Sequence, residues 1–258
     1  MLYEIKHRHT DKVLYSAEGD SLAEVLTKAV REGADLKGAD LKDADLTDAD
    51  LWGANLEGAN LKDANLYRAD LWGANLKDAD LYGANLTGAY LKDANLTYAY
   101  LAGANLKDAI LERAYLTDAI LEDAILEGAD LTGANLAYAN LQGANLTGAN
   151  LSKANLDAIQ VDYYDVLSRA PDEVPALLQA LRDGKIDGST YEGECACLVG
   201  TIAKVRKVSY TDMETLKPDS SRLAERWFLA IKKGDTPKTN PVAALVETWT
   251  EEWVRSNE

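Results

Sequence analysis

Histidine and cysteine are nearly missing from this chain. Its 258 residues hold two of each, His7 and His9, Cys195 and Cys197, together with one phenylalanine and five prolines, all of the prolines beyond residue 170. Catalysis needs a convergent acid, base, nucleophile or metal, and so short a supply argues for a non-enzymatic protein with no cofactor. The two cysteines, one residue apart, are too close for an ordinary structural disulfide and too few for a cysteine-only metal site, which fits a reducing compartment. No apolar run approaches the roughly 20 residues that span a bilayer, and Met1–His7 lacks the apolar stretch of a secretion signal, so the sequence predicts a cytoplasmic protein. Positive charge is also scarce. Lys and Arg number 27 against 43 Asp and Glu, a formal charge of −16 with a pI near 4.6. Such a chain is repelled by nucleic-acid phosphates and by anionic membranes, so neither is an expected partner.

What the chain has in abundance is a repeat. Alanine recurs at every fifth residue from Ala34 to Ala154, and leucine at every fifth residue from Leu36 to Leu156, giving 25 unbroken units over residues 34–158. Asp or Asn separates Ala from Leu in 19 units, and the second residue after Leu is Gly in 11 and Asp in 8. A five-residue step turns a helix by about 140° beyond one full circle, so the leucines would not form a stripe. A continuous strand fails as well, because an odd step sends successive leucines to opposite faces. The chain must therefore turn in every unit. Ala and Leu point inward from a short extended piece, the Asp or Asn between them points out, and Gly, Asp or Asn make the corner.

This pattern resembles the pentapeptide-repeat family, over about half of the chain. The resemblance implies a right-handed quadrilateral β-helix in which four units make a 20-residue coil with Leu at the centre of the core. Six such coils at roughly 4.8 Å each form a rod about 30 Å long. Some members of that family look like duplex DNA and bind type II topoisomerases, protecting gyrase from quinolones or inhibiting it. Residues 34–158 carry 16 Asp and 4 Glu against 7 Lys and 2 Arg, a net −11, whereas duplex DNA of that length carries about 18 negative charges. A mimic would be partial. The lysines also alternate with aspartates, as in Lys62-Asp63 and Lys77-Asp78, which is the surface of an ordinary soluble protein.

The flanks read as caps and a further domain. Residues 1–33 predict a hairpin, Leu2–Lys6 with Lys12–Tyr15, followed by a helix opened by the capping box Ser21/Glu24, with Leu22, Val25, Leu26, Ala29 and Val30 on one face and a stop at Gly33. Residues 159–258 form an α-rich C-terminal domain, with helices predicted over 173–183, 195–206, 221–233 and 241–255, the last opened by Asn240 and Pro241. Its apolar residues, among them Trp227, Ile231, Val242, Leu245, Trp249 and Trp253, supply its own core. The fold class is thus mainly β, a capped solenoid with a helical C-terminal domain.

Candidate sites are few. His7 and His9 share one strand face and could hold a metal, but no third ligand is near in sequence. Cys195 and Cys197 lie in an apolar stretch and read as buried cysteines. Gly193 and Gly200 lack the spacing of a phosphate loop. The outward Asp or Asn gives way to apolar or aromatic residues at six places, Tyr90, Tyr100, Ile110, Tyr115, Ile120 and Ile125, all within 36 residues. On a 20-residue coil the last four occupy all four sides of one turn, with Tyr90 below Ile110 and Tyr100 below Ile120. This girdle either stabilises strand stacking, receives the C-terminal domain, or contacts a partner protein of unknown identity. Trp52 and Trp72, also 20 apart, predict a stacked pair. The oligomeric state is left open.

Overall fold

The computed structural model describes residues 1–186, 198–206, 216 and 222–257. They fall into two compact units, one of Met1–Ala139 with Ala149–Asn155, the other of Asn140–Gly148 with Leu156–Glu258. Residues 140–148 therefore group with the helices, although their sequence continues the repeat without a break.

In the first unit, parallel bridges join each outward position to the one 20 residues on, from Asp40 with Asn60 through Tyr115 with Asn135. Four units close one coil. The rungs are alternately Leu N–H to the next coil, as Leu61 to the Asp80 carbonyl at 2.7 Å, and outward-residue N–H to the coil before, as Asn60 to the Ala39 carbonyl at 2.8 Å. All 25 repeat leucines are buried, as are the alanines from Ala39 to Ala149, so the expected inward pair is the core. Within each unit the Leu carbonyl accepts from the Ala three residues later, at 3.0 Å for Leu56 and Ala59. The third residue of that turn has a left-handed φ at every corner from Gly38 to Lys153, between 55° and 69°. Gly adopts this region freely and Asp tolerates it, which accounts for the corner composition.

Five corners carry neither residue: Arg68, Tyr98, Arg113, Tyr138 and Lys153. A long side chain held at positive φ costs about 1–2 kcal/mol. Lys153→Gly relieves that strain, and after the greater freedom glycine gives the unfolded chain it is expected to raise stability by about 0.5–1 kcal/mol, read as an upward shift of the urea midpoint. A lower midpoint would mean that the lysine makes a compensating contact.

The N-terminal elements cover the first coil. Strands β1 (Leu2–Lys6) and β2 (Val13–Glu18) pair antiparallel around a turn with Asp11 at φ 53°. The chain leaving β1 then meets the solenoid edge: Asp40 N–H donates to the Lys6 carbonyl at 2.7 Å and Arg8 N–H to the Gly38 carbonyl at 2.8 Å. Helix α1 (Leu22–Arg31) starts at Ser21, whose hydroxyl accepts from Glu24 N–H while the Glu24 carboxylate accepts from Asp20 N–H. Its buried face, Val25, Leu26 and Ala29, is the one the sequence predicts. Backbone donors that an open edge would leave for another chain are thereby satisfied.

The second unit is helical. It contains α2 (Asp157–Ser168), a short 3₁₀ turn (Pro171–Glu173), α3 (Val174–Arg182), α4 (Leu198–Arg206), α5 (Leu223–Phe228) and α6 (Pro241–Asn257). The sequence reading lacks α2, whose residues Ile159, Tyr163, Val166 and Leu167 are buried at helical spacing. It also runs α5 too far, since the chain turns at Leu229–Ile231, where Ile231 N–H reaches the Phe228 carbonyl at 3.0 Å. Asn240 caps α6 as expected, its side-chain oxygen accepting from Val242 and Ala243 N–H at 2.8 and 3.1 Å. Tyr163, Trp227, Phe228 and Trp249 form the aromatic centre, with ring centroids 5.9–6.2 Å apart. Of the residues expected there, Leu245 and Trp253 are only half-buried.

Candidate partner surface

The outward Asn or Asp does two jobs in an ordinary unit. Its side-chain oxygen accepts from the backbone N–H two residues on, as Asn75 from Lys77 at 3.2 Å and Asn105 from Lys107 at 3.1 Å. Its amide, where it is Asn, donates to the same residue one coil earlier, as Asn75 to Asn55 and Asn95 to Asn75 at 3.2 and 3.3 Å. Tyr and Ile can do neither. The column Asn55, Asn75, Asn95 stops at Tyr115 and resumes with Asn155 donating to Asn135 at 3.1 Å. Each replacement gives up hydrogen bonds worth about 0.5–1.5 kcal/mol apiece, for a β-propensity gain on a scale spanning about 1 kcal/mol. The girdle thus exchanges the hydrogen bonds of the ladder for apolar and aromatic surface.

The six side chains sit where the 20-residue period puts them. Bridges join Tyr90 to Ile110, Tyr100 to Ile120, Asn95 to Tyr115 and Asn105 to Ile125. Tyr90 is 51% exposed and Tyr115 54%, with Tyr100, Ile120 and Ile125 at 36–40%; Ile110 is half-buried. Tyr100 lies parallel to Tyr82, centroids 5.8 Å apart and planes 13° apart, with Lys62 Nζ 4.9 Å from the Tyr82 ring centre. That side therefore presents a continuous cation and aromatic column, one that the sequence reading missed because Tyr82 stands two residues after the outward position. Tyr98 and Tyr138, at corners, add two more exposed rings.

Trp52 and Trp72 touch, but at 6.4 Å and a 53° tilt rather than stacked flat. Trp72 is held from above, its indole N–H donating to Asp93 at 3.2 Å. Asp93 in turn accepts two bonds from the Arg113 guanidinium, at 2.8 and 2.7 Å, and that guanidinium holds its carboxyl below the usual carboxylate range. Charges one coil apart also pair at Lys37–Glu57, Arg68–Asp48, Lys92–Glu112 and Lys107–Glu127.

Eight copies of the family described as Pentapeptide repeats match this chain, at residues 26–63, 59–97, 84–123, 94–133 and 124–158. Together they cover residues 26–158, more than half of its length. The chain belongs to the pentapeptide-repeat family. Among solved structures it is similar to HetL, a pentapeptide repeat protein involved in heterocyst differentiation regulation from the cyanobacterium Nostoc sp. strain PCC 7120, with 39% identity over 47% of this chain and 65% of that one, and a TM-score of 0.36. A pentapeptide repeat protein from the Arabidopsis thaliana thylakoid lumen is 33% identical over 45% of this chain and 78% of its own, with a TM-score of 0.40. QnrB1, a plasmid-mediated fluoroquinolone resistance protein, is 22% identical over 45% and 64%, with a TM-score of 0.39. This chain thus spans just under two thirds of HetL and of QnrB1. No curated protein matches it significantly.

The remaining candidate sites of this pentapeptide-repeat protein are placed as follows. His7 and His9 lie with ring centroids 5.8 Å apart, and His7 Nδ1 accepts from His9 N–H at 3.2 Å. The other edge of the His7 ring rests on Gly38, where a Cβ would come within 2.5 Å of Nε2. Packing of the cap on the first coil therefore occupies His7. Among the described residues no three His, Cys, Asp or Glu gather as a metal cage, and no helix is long and apolar enough to cross a membrane. Cys195, Cys197 and Gly193 lie outside the described residues, and Gly200 is in α4.

Proposed function

We propose that this pentapeptide-repeat protein is a non-enzymatic scaffold in the cytoplasm, a right-handed quadrilateral β-helix that binds another protein through the girdle Tyr90, Tyr100, Ile110, Tyr115, Ile120 and Ile125. The observation that carries the reading is the exchange itself: six positions forgo the hydrogen bonds of the Asn ladder and present apolar surface in return, in one band of the solenoid. Exposed apolar surface of that kind is what protein contacts use. Changing all six to Asn restores the repeat's own residue. Hydrogen exchange in the coils is then expected to stay as slow as in the native chain, while a protein captured by the immobilised native chain is no longer retained. Faster exchange confined to the coils, or unchanged capture, would overturn the reading.

A second reading, a DNA-mimicking partner of gyrase, is supported by the net −11 of residues 34–158. Against it stand the inter-coil ion pairs, which set Lys or Arg against five of the 20 acidic residues and so break the continuity of negative charge along the solenoid. Inhibition of gyrase supercoiling, or protection of gyrase from a quinolone, would favour this second reading over the first.

A further inference from the structure

The aspartates and glutamates of the solenoid are mostly engaged. Those at outward positions accept from the N–H two residues on, as Asp45, Asp70, Asp80 and Asp130 do, and others pair with Lys or Arg, as Asp48, Glu57, Asp93, Glu112 and Glu127 do. Five carboxylates between residues 35 and 155 have neither role: Asp63, Asp108, Asp118, Glu122 and Asp123. Three of the five fall within six residues, and they alternate with the girdle. Tyr115, Ile120 and Ile125 lie on three successive sides of one coil, Asp118 and Asp123 are the corners between them, and Glu122 stands beside Asp123.

We propose that this alternation is the docking stripe itself, and that it fits an extended basic segment of a partner protein in which Lys or Arg alternates with apolar residues. The inference rests on the girdle reading and names the chemistry of what the girdle binds. Charge complementarity decides among occupants. A second copy of this chain carries −16 and would be repelled, as would duplex nucleic acid. A pliable segment without helical structure suits the surface, because acid and apolar groups succeed one another from side to corner to side and the segment must bend around the coil to meet them. Apolar burial supplies affinity at the sides, and the unpaired carboxylates at the corners set register and exclude acidic competitors.

The probe is a short synthetic peptide of alternating Lys and Leu, titrated into the full chain at physiological salt, with an oligolysine of equal charge beside it. The Lys/Leu peptide is expected to bind, and to bind at least about 10-fold more weakly to the combined variant Asp118→Asn, Glu122→Gln, Asp123→Asn, in which the two corner residues remain tolerant of positive φ. A second variant, Asp40→Asn, Asp43→Asn, Asp63→Asn, removes the same charge from the side that carries Ile120 and Asp123 but three to four coils along the solenoid from them, beyond the screening length at physiological salt, and is expected to change binding less than about twofold. Equal weakening by both variants, equal affinity for oligolysine, or no binding of the Lys/Leu peptide would overturn the proposal. If the peptide is indifferent to the stripe while the six-Asn variant still loses its captured protein, the girdle reading stands and this one falls.

Discussion

Leu96→Asp is expected to unfold the solenoid rather than loosen it. Leu96 is fully buried, with the repeat leucines of the coils on either side, Leu76 and Leu116, buried like it. Removing a buried leucine costs about 2–5 kcal/mol through lost burial and the cavity left behind. A carboxylate there has no partner, and the core offers only alanine and leucine around it, so desolvation adds several kcal/mol more. Because each coil is stabilised by its two neighbours, the damage spreads to both. Loss of slow hydrogen exchange across the coils and collapse of the cooperative thermal transition are the expected readouts. The conservative control is Asp108→Asn, at a corner with φ 55° that Asn also tolerates. A folded Leu96→Asp chain with native exchange would contradict the inward assignment.

The other large effect belongs to Glu225 in α5. This side chain has no exposure, and among the described residues neither carboxylate oxygen has a hydrogen bond of good geometry, the nearest donors being the amides at the start of α4. Burial pushes its carboxyl up from 4.5 to about 7; the amides of Val199 and Leu198 at the start of α4 and the charge of Arg222 oppose the rise, while Asp162 adds to it. The folded protein therefore holds a proton that the unfolded chain releases at lower pH. The contribution of Glu225 to the stability of the helical unit is full below about pH 4.5, falls as pH rises toward 7, and levels off above, a loss of about 3 kcal/mol over the interval. Glu225→Gln removes that slope. At pH 8 the variant is expected to be more stable by up to about 3 kcal/mol, and near pH 4.5 the two should match, as read from hydrogen exchange in α2 and α6. An unchanged slope in the variant, or a wild-type-minus-variant difference of the opposite sign, would mean that the carboxylate is solvated or paired in solution.

How much could be read from the sequence differs sharply between the two units. In the solenoid the information is local and redundant. Leucine and alanine burial, the 20-residue period and the left-handed corners all follow from a five-residue pattern that admits neither helix nor continuous strand. The girdle's arrangement on four sides follows from the same arithmetic. Side-chain partnerships were less accessible: nothing in the pattern says that Arg113 clamps Asp93, or that Tyr82 lies flat against Tyr100. In the helical unit the information is long-range. The start of α2 is disguised because Ala154-Asn155-Leu156-Asp157-Ala158 satisfies the repeat, yet Asp157 is already helical and no side chain caps the helix. Its later spacing, Ile159, Tyr163, Val166 and Leu167, was available as a signal. The early end of α5 was not, since it depends on the turn through which Leu229–Ile231 enter the core.

Every rung of the ladder joins residues separated by about 20 positions, and none of the solenoid's pairings requires a segment from farther along the chain. A growing polypeptide can therefore complete each coil as soon as the next 20 residues have emerged from the ribosome, on a template that the hairpin and α1 have already begun. Construction proceeds in one direction from a finished end. The loop closed at each step stays short, so its entropic cost does not grow with the length of the rod.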